Sequence, residues 1–374
     1  MSEVQRVPLR ELALHEIHRG SGALMAAQDG WSVPASYGDE LLEYAAVREG
    51  GVGLLDLSAR GRLLVKGSEA IAFLNGLITN DMKKLAENQW MPAVFPNVQG
   101  RLLASVRIIR TADDTAGKTA QPTFIIDTEP ASHDRVFQTI QKFTLAGDFH
   151  VADLTGETVL LSVQGRAPAA KLANVLGASD VGIDVGSVTQ IIWQNNPILV
   201  IRATHTAADG FDLLVRNSYA EQLWQAVLMA GARPVGYDAQ EILRVEAGIP
   251  RYHQDMDDTT VVTETNLDEA VSYTKGCYVG QEIIARIKYR GHVAKKLRGL
   301  AFEKPAKVAS GTSIKSKDDK EIGQITSSVY SPHLGRRLAL GYVKFDYIAA
   351  ATEVKTSDGV PARVVDLPFV NQGY

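Results

Sequence analysis

Residues 62–78, RLLVKGSEAIAFLNGLI, read as a strand over Arg62–Lys66, a turn at Gly67-Ser68 and a helix over Glu69–Ile78. The strand is short and rich in branched apolar residues, glycine frees the turn, and Ser68 is a plausible helix cap. The same unit recurs at Thr158–Val163 (TVLLSV), Gln164-Gly165 and Ala167–Leu176 (APAAKLANVL). Two copies with further strands around each, such as Leu102–Arg110 and Thr123–Asp127, predict two related α+β modules. The polar stretch TADDTAGKTAQP between those strands reads as an exposed hairpin loop. Upstream, Asp39–Glu49 has helical apolar spacing and stops at Gly50-Gly51. From about Leu297 the pattern changes to short strands separated by turns (LRGLAFE, GQITSSVY, LALGYVKF, ARVVDL), which predicts a small all-β domain. The boundary falls near Gly291–Lys296.

A length of 374 residues exceeds what a single core usually serves, so two or three domains are expected. Hydrophobic content of 45% and charged content of 22% are those of a globular chain. The net charge of −4 provides no global attraction to nucleic acid or membrane, so an anion site must be local. The single cysteine, Cys277, excludes an internal disulfide and a multi-thiolate metal site within the chain. With no apolar leader and no long apolar run, a cytoplasmic protein without a membrane span is expected.

Several short motifs carry little. Gly117-Lys118-Thr119 ends like a phosphate-binding loop, but Ala112 stands where the leading glycine belongs. Gly51-Val-Gly53 lacks the third glycine of a dinucleotide fingerprint. His15 and His18, three apart with no third ligand, read as solvent-exposed histidines. Asp255, Asp257 and Asp258 lack the glycine and terminal glutamate of a calcium loop. No metal site is expected.

The most informative stretch is Lys275-Gly-Cys-Tyr-Val-Gly-Gln-Glu282. Gly276 and Gly280 allow positive φ or close backbone approach. Lys275, two residues before the thiol, is placed to favour the thiolate, and Gln281 and Glu282 add hydrogen-bonding and acid–base capacity. A buried, inert Cys277 is the competing reading.

KGCYVGQE resembles the signature of the YgfZ branch of the glycine-cleavage-T-protein-like, folate-binding family. The likeness runs nearly end to end, through DGWSVPASYGDELLEYAAVREGGVGLLDLS (29–58), LLVKGSEAIAFLNGLITND (63–81), ILRVEAGIPRY (242–252), YSPHLGRRLALGYV (330–343) and ARVVDLPFV (362–370). It implies an α+β fold of two ferredoxin-like modules and a C-terminal β-barrel around a central channel that takes tetrahydrofolate or a derivative. The domains would then span residues 1–150, 151–292 and 293–374. It implies a folate site at Asn97, Gln99, Gly100, Arg101, His205, Gly276, Tyr278, Gly280, Gln281, Glu282 and Arg286, with Cys277 and Lys275 as catalytic groups.

The chain departs from the enzymes of that family. Asn97-Val-Gln-Gly-Arg-Leu-Leu-Ala104 places Leu103 and Ala104 where the T-protein carboxylates would sit, and an alkyl group transfers no proton. His205-Thr-Ala-Ala-Asp-Gly-Phe-Asp212 puts Ala208 at a pterin-contacting glutamate, and Gln240 falls near a family arginine. Asn97–Arg101 instead resembles the Gln-Gly-Arg turn of the YgfZ side.

After the signature, Arg286, Lys288, Arg290, His292, Lys295, Lys296 and Arg298 form the densest basic run; on an extended segment residues 286, 288 and 290 share a face. A solvated strand edge and an anion site for a polyglutamate tail or RNA phosphates both fit it. Direct nucleic-acid binding is not expected, because only Tyr289 interleaves the charges. The expected function is a folate-binding accessory protein for iron–sulfur enzymes and tRNA modification, acting through Cys277, with iron–sulfur enzymes or cluster carriers as partners. A folate-dependent one-carbon transferase acting on an amine outside glycine cleavage, and a non-catalytic folate-binding module, are the alternatives.

Overall fold

The structure is a computed structural model that describes residues 8–371 except 115–119, 143, 145, 146, 183 and 305. The phosphate-loop look-alike Gly117-Lys118-Thr119 lies outside the described residues.

The repeated unit opens two modules with one wiring. In the first, strand Gly61–Lys66 leads to helix Ala70–Leu77, strands Gln89–Pro96, Leu102–Arg110 and Thr123–Thr128, helix His133–Gln141 and strand His150–Asp153. In the second, strand Thr158–Gly165 leads to helix Pro168–Leu176, strands Val188–Trp193, Asn196–Arg202 and Asp209–Arg216, helix Asn217–Met229 and strand Arg233–Pro234. Both sheets place the module's strands in the spatial order second, third, fourth, first, fifth. The turn explains why glycine recurs. Gly67 has φ +141° and Gly165 φ +143°, and a Cβ there would lie 2.1 Å from Asp148 O and 2.5 Å from Gly51 O respectively. Any side chain at either position would have to displace backbone.

The modules are less separable than a division at residues 1–150 and 151–292 implies. Strand Val52–Asp56 pairs with Thr158–Gly165 and lies inside the second sheet, between its first and fifth strands. The sheets also share a core, in which Ile109 and Ile125 of the first meet Leu55, Leu160, Ile201 and Leu214 of the second. Their association buries apolar surface at roughly 25 cal/mol per Å².

Local signals are partly realised. Helix Glu40–Arg48 is capped by Asp39, whose Oδ1 accepts the amides of Leu41 and Leu42 at 3.0 Å each. Ser68 caps nothing, because its amide and hydroxyl both donate to Asp148 Oδ2, at 2.9 and 2.7 Å. Beyond residue 234 the chain runs through helix Tyr237–Glu246, short turns and helix Gln281–Arg290. It then closes a six-stranded barrel from Lys295–Phe302 to Pro361–Val365 around Leu300, Phe302, Ile322, Ile325 and Val343. At the end of helix Tyr237–Glu246, Glu246 accepts from Tyr44 Oη at 2.7 Å, Arg48 Nη2 at 2.8 Å and Ser331 Oγ at 2.5 Å, tying module to barrel.

Candidate functional site

An open cleft lies where the two modules and the Ile249–Arg251 segment meet. Its walls are mainly apolar (Val33, Pro34, Leu55, Leu57, Val235, Ile249), with His205, Gln240, Arg60, Glu129, Tyr237 and Arg251 among its polar lining.

Strand alternation places buried charges between the two sheets, next to His205 and Arg60 of the cleft. Arg107 and Asp127 are cross-strand partners in the first sheet, and Asp212 sits opposite Ser162 in the second. Two residues along each strand, Ile109, Ile125, Leu214 and Leu160 enter the shared core, so the polar set lies on the same inward face. A chain of ion pairs results. His205 Nε2 donates to both oxygens of Asp212, at 3.1 and 3.0 Å. Arg107 Nη2 lies 2.7 Å from Asp212 Oδ2 and 2.5 Å from Asp127 Oδ2. Arg60 pairs with Asp127 Oδ1 at 2.7 Å and with Glu129 Oε1 at 2.5 Å.

Asp127 and Asp212 are 1% and 0% exposed, too dry to carry charge unless paired. Burial raises the Asp212 carboxyl, but His205 and Arg107 together hold it well below the ordinary carboxylate range. For Asp127 burial is likewise outweighed, by Arg107 and Arg60, and its pKa is lowered.

His205 is presented on a fixed loop. Buried Gln164 accepts at Oε1 from the His205 amide at 3.1 Å and from the Thr204 and Thr206 hydroxyls at 3.3 and 3.1 Å. Behind the cleft, the Asp56 side chain lies 2.8 Å from His18 Nε2, and Tyr37 Oη lies 2.8 Å from His18 Nδ1. His18 is fully buried and His15 is 9% exposed, which corrects the reading of both as solvent-exposed: helix His15–Gly20 packs this face inward.

The sequence-predicted site divides in two. Of its residues only His205 lines the cleft. Asn97–Arg101 and Lys275–Glu282 do meet, but elsewhere. Gly280 has φ +75° at the start of helix Gln281–Arg290, where a Cβ would lie 2.3 Å from Asn97 O. Gly100 packs on Ile283 and Ile284. Asn97 Oδ1 accepts the Gln99 and Arg101 amides at 2.9 and 3.0 Å, so its side chain builds the turn, while the side chains of Gln99 and Arg101 face solvent. Tyr278 is buried, Gln281 Nε2 donates to Lys275 O at 3.5 Å, and Gly276, Glu282 and Arg286 are exposed.

Lys275 serves structure rather than the thiol. Its ammonium donates to Asn75 O, Ile78 O and Asn80 O at 2.7, 2.8 and 2.6 Å, satisfying carbonyls at the end of helix Ala70–Leu77. Burial pulls its pKa down to about 8. All three N–H groups are thus engaged with backbone. Cys277 is exposed. Cys277→Ser is therefore expected to change the unfolding free energy by no more than about 0.5 kcal/mol, checked by urea denaturation alongside native-state thiol labelling of the wild type.

The first part of the basic run, Arg286–Arg290, is helical rather than extended, while Lys295, Lys296 and Arg298 lie on the barrel strand Lys295–Phe302. Arg286 and Arg290, four apart, share a face of helix Gln281–Arg290, while Lys288 turns away to lie 5.0 Å above the Tyr273 ring. Further on, Arg298 pairs with Asp366 at 2.5 Å and Lys295 lies 4.7 Å above the Tyr342 ring. The seven residues form no single face.

The positions compared with the T-protein carboxylates are also placed by the fold. Ala104 is fully buried in the first module's core with Leu103 packed against it, Ala208 is 8% exposed in the shared core, and Gln240 lines the cleft.

Comparison with known proteins bears on the whole chain. The family described as the GCVT N-terminal domain matches residues 14–275, and the glycine cleavage T-protein C-terminal barrel domain matches residues 295–371. The aminomethyltransferase of Rubrobacter xylanophilus is 30% identical over 99% of this chain and 96% of its own. That of Thermosynechococcus vestitus is also 30% identical, over 96% of this chain and 95% of its own. The crystal structure of glycine cleavage system aminomethyltransferase T from Bartonella henselae matches with a TM-score of 0.89 and 25% identity, over 98% of this chain and 99% of that one. These full-length likenesses to aminomethyltransferases overturn the expectation of an accessory protein for iron–sulfur enzymes and tRNA modification. Among the described residues, no helix is long and apolar enough to cross a membrane.

Proposed function

The chain belongs to the glycine cleavage T-protein family, and on that premise we propose that it is a tetrahydrofolate-dependent one-carbon transferase of the aminomethyltransferase type. The observation that carries this reading is the cleft: a largely apolar recess with a fixed imidazole, His205, and a neutral amide, Gln240, on its walls. Apolar walls with few convergent polar groups suit a flat heterocycle. Leu55, Leu57, Val235 and Ile249 would flank the ring system, with His205 and Gln240 as its polar contacts. When bound, tetrahydrofolate supplies the nitrogen that accepts the carbon.

Arg60, Glu129 and Arg251 are engaged with protein partners, so they shape and polarise the cleft rather than neutralise a ligand. The alkyl groups at Leu103, Ala104 and Ala208 leave proton transfer to other residues, and favour an amine donor other than the glycine-cleavage carrier. The KGCYVGQE segment, which resembles the YgfZ signature, acts in this reading as a structural corner: Lys275 ties down a helix end and Gly280 lets the next helix start against Asn97.

The test is to incubate the protein with tetrahydrofolate and either a small N-methylene amine or an aminomethyl-loaded lipoyl carrier, and to follow methylene-tetrahydrofolate. Faster transfer from the small amine is expected. Tetrahydrofolate binding without transfer from either donor would overturn the reading in favour of a non-catalytic module.

A further inference from the structure

Resting on that reading, we infer that His205 is the acid–base group of the reaction, with Nε2 anchored on Asp212 and Nδ1 carrying the proton. The charged groups around the cleft are otherwise committed. Arg60 is held by Asp127 and Glu129, Arg244 by Asp255 and Glu241, Arg251 by Glu241, Asp56 by His18, and Asp29 by His253. Tyr237 is pushed up to about 12 by burial, out of range for proton exchange near neutrality. His205 differs in having one nitrogen bound to a carboxylate while its side chain remains 15% exposed to the cleft.

Charge balance along the ion-pair chain supports the same assignment. Asp212, Asp127 and Glu129 bring three negative charges, whereas Arg107 and Arg60 bring two positive ones. The remaining negative charge is met by the His205 Nε2–H, which donates to Asp212. Because ionised Asp212 only accepts, the Nε2–H tautomer is fixed and Nδ1 keeps its lone pair. The Gln164 clamp on residues 204–206 holds the ring in place.

The proton balance is simple. A first ligand N–H nitrogen bonds to the transferred CH2 as one of that carbon's two bonds to the donor breaks, and a second ligand N–H nitrogen closes on the same carbon as the other breaks. Each N–H proton passes through His205 Nδ1 to the donor atom whose bond has broken, so the amine departs neutral. Neither oxidant nor reductant takes part.

His205→Asn tests this, with Asp212 still paired to Arg107 in the variant. With wild type active, the variant's kcat at saturating tetrahydrofolate is expected to fall about 100-fold. Histidine ¹⁵N NMR, which needs no turnover, should show His205 as the Nε2–H tautomer, its signal assigned by its loss in the variant. An active wild type matched by an equally active variant, or a protonated Nδ1 at neutral pH, would overturn the inference alone. A wild type that transfers no carbon would overturn the proposed function and the inference with it.

Discussion

Arg107→Met is expected to lower the unfolding free energy by about 3–5 kcal/mol, the cost of removing one partner from a buried ion pair. Arg107 stands between Asp127 and Asp212 and is itself 9% exposed. Methionine fills much of the volume but leaves two buried carboxylates leaning on Arg60 and His205 alone. The pH dependence follows from the same groups. Both aspartates have folded-state pKa values depressed below their ordinary range, so in wild type their contribution is present above about pH 4 and is lost as pH falls further. Without Arg107 the depression shrinks, and the acid transition of the variant should move to higher pH. Urea denaturation at neutral pH and an acid titration followed by circular dichroism are the measurements. A loss below about 1 kcal/mol with an unmoved acid transition would show that Arg60 and His205 suffice.

The modules were legible because their signal is local. Strand, glycine and helix follow within 17 residues at 62–78, and Gly67 and Gly165 mark the same close approach in both copies. The barrel was legible because short alternating strands replace helical spacing after Leu297. The site was not, because its parts are distant in sequence. Residues 60, 107, 127, 129, 205 and 212 come from separate segments and meet only when two sheets face each other. One signal was available: Arg107 in LLASVRIIR and Asp127 in TFIID are charges within apolar strands, which need buried partners. Lys275 shows the opposite error. Its nearness to Cys277 in sequence suggested a chemical pair, whereas its ammonium reaches carbonyls some 200 residues away. The helix at Gln281–Arg290 was visible in Ile283, Ile284 and Ile287, but the alternating charges drew the reading towards a strand.

The join between the barrel and the second module depends on another arginine, and Arg244→Met should cost about 3–5 kcal/mol for the same physical reason. Arg244 is 3% exposed on helix Tyr237–Glu246. It donates to Asp255 Oδ2 at 2.5 Å, to Glu241 Oε2 at 2.9 Å, to Ile249 O at 3.2 Å and, across to the barrel, to Ser327 Oγ at 2.6 Å. Burial alone would lower its pKa, but Asp255 and Glu241 reverse that and raise it, so the guanidinium is firmly charged. Asp255 is 2% exposed and also accepts from the Thr326 and Ser327 hydroxyls at 2.5 and 2.6 Å. Methionine would leave that carboxylate buried with hydroxyl and amide donors but without a countercharge. The loss should be greatest where barrel meets module, so amide exchange in the barrel strand Glu321–Ser331 should accelerate more than in the first module's strand Gly61–Lys66. Uniform acceleration of both strands would show that the arginine supports the whole fold rather than this joint. An unfolding free energy within about 1 kcal/mol of wild type would show that the hydroxyl donors alone hold Asp255.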